Sequence, residues 1–193
     1  MSTKDRILDT TTDLFRRYGY NGTGLKQIVA NANAPFGSIY HFFPGGKEQL
    51  GDETIRRAGG MYGELVAAVF DAAPDPVNGT SDVFTGAAEV LHETDYLDPC
   101  PVATVALEVA SANDRLRQAT ADVFESWIDG ATERYAAAGI AEARAREIGI
   151  ALICALEGAF VLGRALRSTE PLEIAGRAVT ALVREELSTL RGA

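Results

Sequence analysis

Pro35-Phe36-Gly37-Ser38-Ile39-Tyr40-His41-Phe42-Phe43 decides the reading of this chain. It is short and aromatic, with Asn33 before it and Pro44-Gly45-Gly46 after it. One short helix fits between those turn signals, with Pro35 in its first turn, where a missing N–H costs nothing. Ile39 and Phe43 stand four apart and face a core, which turns Ser38, Tyr40 and His41 outward. A hydroxyl, a phenol and an imidazole on an exposed turn suit phosphates and base edges better than packing.

Upstream, Leu25, Ile28, Val29 and Ala32 keep the spacing of an amphipathic helix. Thr23 is its expected N-cap, and Asn33 can adopt the left-handed conformation that ends it. Two short helices joined by Asn33-Ala34-Pro35 make a helix-turn-helix. Before them, Ile7, Leu8, Thr11, Leu14, Phe15 and Tyr18 mark one face of a longer helix from near Ser2-Thr3 to Gly19. The first fifty residues therefore read as a three-helix DNA-binding unit.

Charge supports this. The 193-residue chain carries 18 lysines and arginines against 27 acids, a net of −9. Residues 1–50 hold six cations and four anions, and the remainder twelve and twenty-three. All three lysines lie in the first fifty residues. A duplex repels the acidic part and leaves the basic end to dock.

Gly19, Thr23, Ile28, Ala32, Gly37, Tyr40, Phe43 and the Lys47-Glu48…Leu50 run resemble the N-terminal signature of TetR-type repressors. Ser38-Ile39-Tyr40-His41-Phe42-Phe43-Pro44-Gly45-Gly46-Lys47-Glu48-Gln49-Leu50 and Cys100-Pro101-Val102-Ala103-Thr104-Val105-Ala106-Leu107-Glu108 are similar to the lincosamide- and flavonoid-responsive LmrA/YxaF-like branch. The resemblance implies that Thr23, Ser38, Tyr40 and Lys47 hold phosphates, and that Lys26, Gly37 and His41 lie nearest the major groove. The chain departs from the pattern in places. Asn33 replaces the usual glycine, Pro35 the usual serine, Phe36 a common lysine and Phe42 a frequent histidine. The Pro44-Gly45-Gly46 loop is one residue longer than usual.

Beyond residue 50 the pattern stays helical. A long helix is expected from Gly46-Lys47 to about Ala73. After a break at Pro74-Asp75-Pro76 and Asn78-Gly79, Thr80 or Ser81 caps the next, to about Thr94. Asp98-Pro99 opens a helix over 102–112, and Asn113-Asp114 opens another that ends at Gly139. Helices over 141–167 and from Thr169-Glu170-Pro171 to just before Gly192 complete an all-α chain of about nine helices. The expected division is a helix-turn-helix domain over 1–47 and a helical ligand-binding and dimerisation domain over 48–193.

Ala151, Ala155, Ala159 and Gly163 recur every four residues, a ridge that lets another helix approach closely. With Val179 and Leu182 on the next helix they are the expected dimer interface, since two-fold DNA readers need a dimer. Tyr62, Val66, Phe70, Phe124, Trp127 and Phe160 are either plain core or the lining of a cavity for a flat apolar effector. Glu157 interrupts an apolar run and needs an arginine such as Arg164, a solvent-facing position, or a ligand.

No membrane span, signal peptide, cofactor motif or metal motif is expected, and Cys100 and Cys154 read as buried thiols. His41 and His92 are the only imidazoles, and no nucleophile turn or phosphate loop accompanies them. The reading is a cytoplasmic, ligand-responsive regulator, a repressor that binds a palindromic operator as a homodimer and is released by a small apolar or aromatic effector. It is not an enzyme. The alternative is a helical interaction module, or a constitutive DNA-binding protein without an effector.

Overall fold

The computed structural model describes the backbone of residues 1–97 and 100–192, with side chains through Leu190. Among the described residues there are nine α-helices and no strand. They form two compact units, residues 1–61 with 99–123, and residues 62–98 with 124–193. The division expected at residue 47 marks the end of the motif. The first compact unit extends further because the start of the following helix and one distant segment share its packing.

In the first unit, α1 (Thr3–Tyr18) starts with a reciprocal cap: Ser2 Oγ accepts from the Asp5 N–H, and the Asp5 carboxylate accepts from the Ser2 N–H, both at 3.1 Å. It stops at Gly19, whose φ of +69° suits glycine. Tyr18, expected on the inner face, is 53 % exposed, because the buried stripe ends one turn earlier at Leu14 and Phe15. Then come α2 (Leu25–Asn31) and α3 (Gly37–Phe42). Asn33 takes φ +47° between them. Ile7, Leu14, Ile28, Ile39, Phe43 and Leu50 close a core under the three helices.

Thr23 does not cap α2. Gly24 holds the N-cap position without a side-chain bond. The Thr23 hydroxyl donates to the Gly19 carbonyl at 2.7 Å and is fully buried. The first halves of α4 (Gly46–Ala72) and α7 (Asp114–Ala137), with α6 (Pro101–Val109), complete the unit. Cys100 caps α6 through its sulfur and Pro101 holds the first position. The Asp98-Pro99 start lies outside the described residues. Asn113 Oδ1 accepts from the Leu116 N–H and starts α7 as expected.

The second unit contains α5 (Pro76–Glu93), α8 (Glu142–Leu166), α9 (Glu170–Gly192) and the second halves of α4 and α7. α5 begins earlier than expected. Asp75 caps it, accepting from the Asn78 N–H at 2.9 Å, and Pro76 follows at the first position. Thr80, expected as the cap, is buried one turn inside and shares a 2.8 Å hydrogen bond with the Tyr135 hydroxyl. Phe84, Leu91, Tyr135, Ile148, Leu172 and Val183 form the centre of this core.

The small-residue ridge turns inward. Ala159 and Gly163 are buried in this core, and a Cβ on Gly163 would stand 2.8 Å from Leu91 Cδ2. Val179 is buried there too, with Ala155 and Leu182 packed against it, while Ala151 is half-buried. These residues therefore seat α8 and α9 within the subunit and are not the free face expected of them. Small residues permit close approach by any helix, and here the helices that approach α8 belong to the same subunit, with α5 meeting Gly163 through Leu91. The opposite side of α8 exposes Ile150, Cys154 and Val161, and Leu162 and Leu166 are exposed toward its C-terminal end, so Cys154 is not a buried thiol. By length and composition alone α8 could cross a membrane. Its other face packs in the helical bundle just described.

Candidate nucleic-acid interface

The geometry of the head follows from two buried residues. Ile39 and Phe43 have no exposed surface, so α3 has one rotation about its axis. That rotation leaves Tyr40 54 % exposed, with His41, Gly37 and Phe36 also outward and Ser38 half-buried. The Phe36 and Tyr40 rings meet edge to face at 6.1 Å, and His41 meets Phe42 likewise at 4.7 Å. A Cβ on Gly37 would meet nothing within 4 Å, so the glycine leaves the front of the helix low rather than relieving a clash. Lys26 on α2 is exposed beside this face in the motif. Five expected positions, Lys26, Gly37, Ser38, Tyr40 and His41, thus reach the surface of the helix-turn-helix.

Two others do not. The Thr23 hydroxyl is consumed by the Gly19 carbonyl, as described, and has no exposed surface for a phosphate. Lys47 folds back. Its ammonium donates to the Tyr20 carbonyl at 2.7 Å and sits 4.2 Å from the Tyr20 ring centroid. Burial pushes the Lys47 ammonium below the ordinary lysine value, opposed by the Glu108 charge. Burial also pushes the Tyr20 phenol up, with Glu48 adding to it. Lys47 therefore joins the start of α4 to the loop after α1.

Sequence reasoning assigned no role to Glu108, although it ends one of the quoted motifs. Its carboxylate accepts from the Asn21 N–H at 2.8 Å and fills the space beside Gly19, where a Cβ would overlap it. Arg6 is a second omission. Its Nε donates to the Ala32 carbonyl at 3.3 Å, one of the carbonyls at the end of α2 that lack a partner in the helix. The signal for both was tertiary, separated by 87 and 26 residues from their partners.

The expected effector residues fall into two groups. Phe70 is 8 % exposed, edge-on to Tyr135 at 5.7 Å, and is core rather than lining. Val66 and Phe160 pack against the same core. Phe124 and Trp127 meet edge to face at 5.6 Å, and the indole Nε1 lies against Gly63, next to half-buried Tyr62. Glu157 is half-buried. Arg164, one candidate partner for it, donates through Nε to the Tyr96 carbonyl.

Residues 76–178 match the family described as transcriptional regulator LmrA/YxaF-like, C-terminal domain, and residues 7–54 match the bacterial regulatory proteins of the tetR family. The chain is 32 % identical over 183 residues to the uncharacterised HTH-type transcriptional regulator YxaF of Bacillus subtilis, covering 95 % of this chain and 96 % of that one. Its fold is that of the regulatory protein TetR from Rhodobacter sphaeroides (TM-score 0.82, 20 % identity, covering 92 % of this chain and 96 % of that one). It is also that of a cysteine-substituted CifR bound to a 26-base-pair operator duplex (TM-score 0.78, 22 % identity, covering 92 % and 94 %). An outward-facing α3 locked by Ile39 and Phe43, followed by a helical domain matched over more than half the chain, places the protein in the TetR family of transcriptional regulators, with a C-terminal domain of the LmrA/YxaF-like type.

Proposed function

We propose that the protein is a repressor that binds a palindromic operator as a homodimer in the cytoplasm and releases it when a small, largely apolar effector binds the second unit. The observation that carries the DNA reading is the polar face of α3. Tyr40 and His41 stand outward on a helix that Ile39 and Phe43 hold in one rotation. Tyr40 and Ser38 offer hydroxyls to phosphates. Lys26, Gly37 and His41 stand nearest base edges. Selection of bound duplexes from a random pool tests this. The expected product is a two-fold palindrome whose half-sites lie one or more helical turns apart, ~34–36 Å for one turn. A pool without symmetry would overturn it.

The dimer reading moves to the exposed apolar side chains of α8 and α9. Ile150, Val161, Leu162 and Leu166, with Ile174 on α9, are exposed apolar side chains. Scattered exposed leucines are ordinary, but these recur on two packed helices, α8 and α9. Exposed apolar side chains on such a pair suit an isologous four-helix contact between copies. The effector reading rests on Phe124, Trp127 and Tyr62, which remain partly accessible, whereas Phe70 does not. Trp127 is the only tryptophan, so its emission is the direct probe for a panel of flavonoids, lincosamides and dyes. A constitutive DNA-binding protein would bind operator alike with and without them.

A further inference from the structure

A groove of about 790 Å³ runs between α5 and α9 in the second unit, and none of the expected effector residues lines it. The two helices are antiparallel. Gly176 lies against Phe84, and Arg167, just before α9, pairs with Asp95, just after α5. That order sorts the lining by charge. Glu89, Glu93 and Glu173 gather toward the end where α5 finishes and α9 starts. Thr180 and Arg184 lie toward the other end, with Arg177 between. Phe84, Ala88 and Gly176 form an apolar floor.

The basic end is unspent. Among the described residues, Arg177 and Arg184 form no ion pair, whereas Arg134, Arg144, Arg146 and Arg167 of the same unit each hold a carboxylate. Arg177 stands four residues after Glu173, the usual spacing for a pair, yet the Glu173 carboxylate accepts from Thr169 Oγ1 at 2.8 Å. Between the two arginines, Thr180 is 7 % exposed and its Oγ1 has no hydrogen-bond partner among the described residues. A buried hydroxyl is normally bonded, and an unmade bond here costs stability. Two guanidinium groups and a free hydroxyl match the donors that recognise a carboxylate.

We propose that the α5–α9 groove binds a small zwitterion, its carboxylate held by Arg177, Thr180 and Arg184, its ammonium by Glu89, Glu93 and Glu173, and its apolar stem on Phe84 and Ala88. A simple anion would meet three glutamates at the far end, and a simple cation two arginines. Only a ligand bearing both charges satisfies both ends. Glu173 and Thr180 are seven residues apart on one helix, about 10 Å along its axis. That is roughly the reach of an extended eight-carbon chain.

The test is calorimetric titration of the full-length protein, without DNA, with 8-aminooctanoic acid, octanoic acid and octylamine. The site is independent of the operator and effector readings, so failure here leaves those untouched. The amino acid is expected to bind saturably, and each single-charge analogue at least tenfold more weakly. Arg184→Gln and Glu89→Gln remove exposed side chains and should leave the helical circular dichroism unchanged. The first should weaken the amino acid about tenfold but not octylamine. The second should weaken it similarly but not octanoic acid. Absence of saturable binding, equal affinity for all three compounds, or full affinity in both variants overturns the proposal.

Discussion

Tyr40 and Tyr135 show how one residue type does opposite work in the two units. Tyr40 is 54 % exposed on α3 and its neighbours there are solvent-facing, so truncation removes a contact rather than a core. Tyr40→Ala should weaken operator binding by roughly tenfold, alike for all sequences, with unchanged helical content. Competition of several duplexes by fluorescence anisotropy checks it, and a loss confined to one base position would assign Tyr40 to base reading instead. Tyr135 has no exposed surface, and burial pushes its phenol from 10.0 up to about 12, with the Thr80 hydrogen bond opposing the rise. The folded state therefore keeps a proton that the unfolded chain loses above about pH 10. The stabilisation is complete below that pH and disappears as pH rises through the folded value. Tyr135→Phe should cost about 1 kcal/mol at neutral pH through the lost bond. Chemical denaturation from pH 9 to 12 should then show the parent losing roughly 2–3 kcal/mol that the variant keeps, so the gap closes and reverses. Buried Ile39 and Phe43 were legible in the sequence because their four-residue spacing alone orients α3. Thr23 and Lys47 were not, because their partners are carbonyls of Gly19 and Tyr20, presented by the turn after α1.

Among the elements, α8 carries the plainest contrast between what composition reveals and what it does not. Its bounds are close to those expected, because a left-handed Arg167 (φ +51°) and the Ser168-Thr169 turn end it locally. Its orientation was not legible. A ridge of alanine and glycine permits close packing by a helix of the same chain or of another, and sequence periodicity cannot distinguish the two. Substituted glycines do distinguish them. A Cβ at Gly163 meets Leu91 Cδ2 at 2.8 Å and the Ser168 carbonyl at 2.9 Å, and a carbonyl cannot swing aside as a flexible side chain can. Gly163→Ala should lower stability by about 1–3 kcal/mol through overpacking. Gly86 lies inside α5, and a Cβ there would meet nothing within 4 Å, so Gly86→Ala should raise stability by roughly 0.5–1 kcal/mol. Thermal unfolding of the pair checks both signs. The reverse order would mean that α8 does not pack on α5 as described.

For the whole molecule, charge and symmetry have to act together. Residues 1–50 carry a small positive excess and the rest of the chain a large negative one, so one head alone neutralises few phosphates and binds weakly. Two heads held on one duplex multiply that weak affinity, provided the linkage between subunits survives. Leu162 is 55 % exposed on α8, so Leu162→Arg should leave the subunit folded. If the exposed apolar side chains of α8 and α9 are the dimer contact, an arginine there buries an unpaired charge at the interface, which costs several kcal/mol and shifts the equilibrium to monomer. Sedimentation velocity should show the mass fall by half. Operator affinity should fall with it by two orders of magnitude or more, and the slope of log K against log salt should shrink as the number of phosphates engaged per bound species halves. Ala159→Arg gives the control, since a buried position should lose the fold rather than only the dimer. A dimer that persists in Leu162→Arg, with an unchanged salt slope, would place the two-fold contact on another surface and return the apolar face of α8 to the question of what covers it.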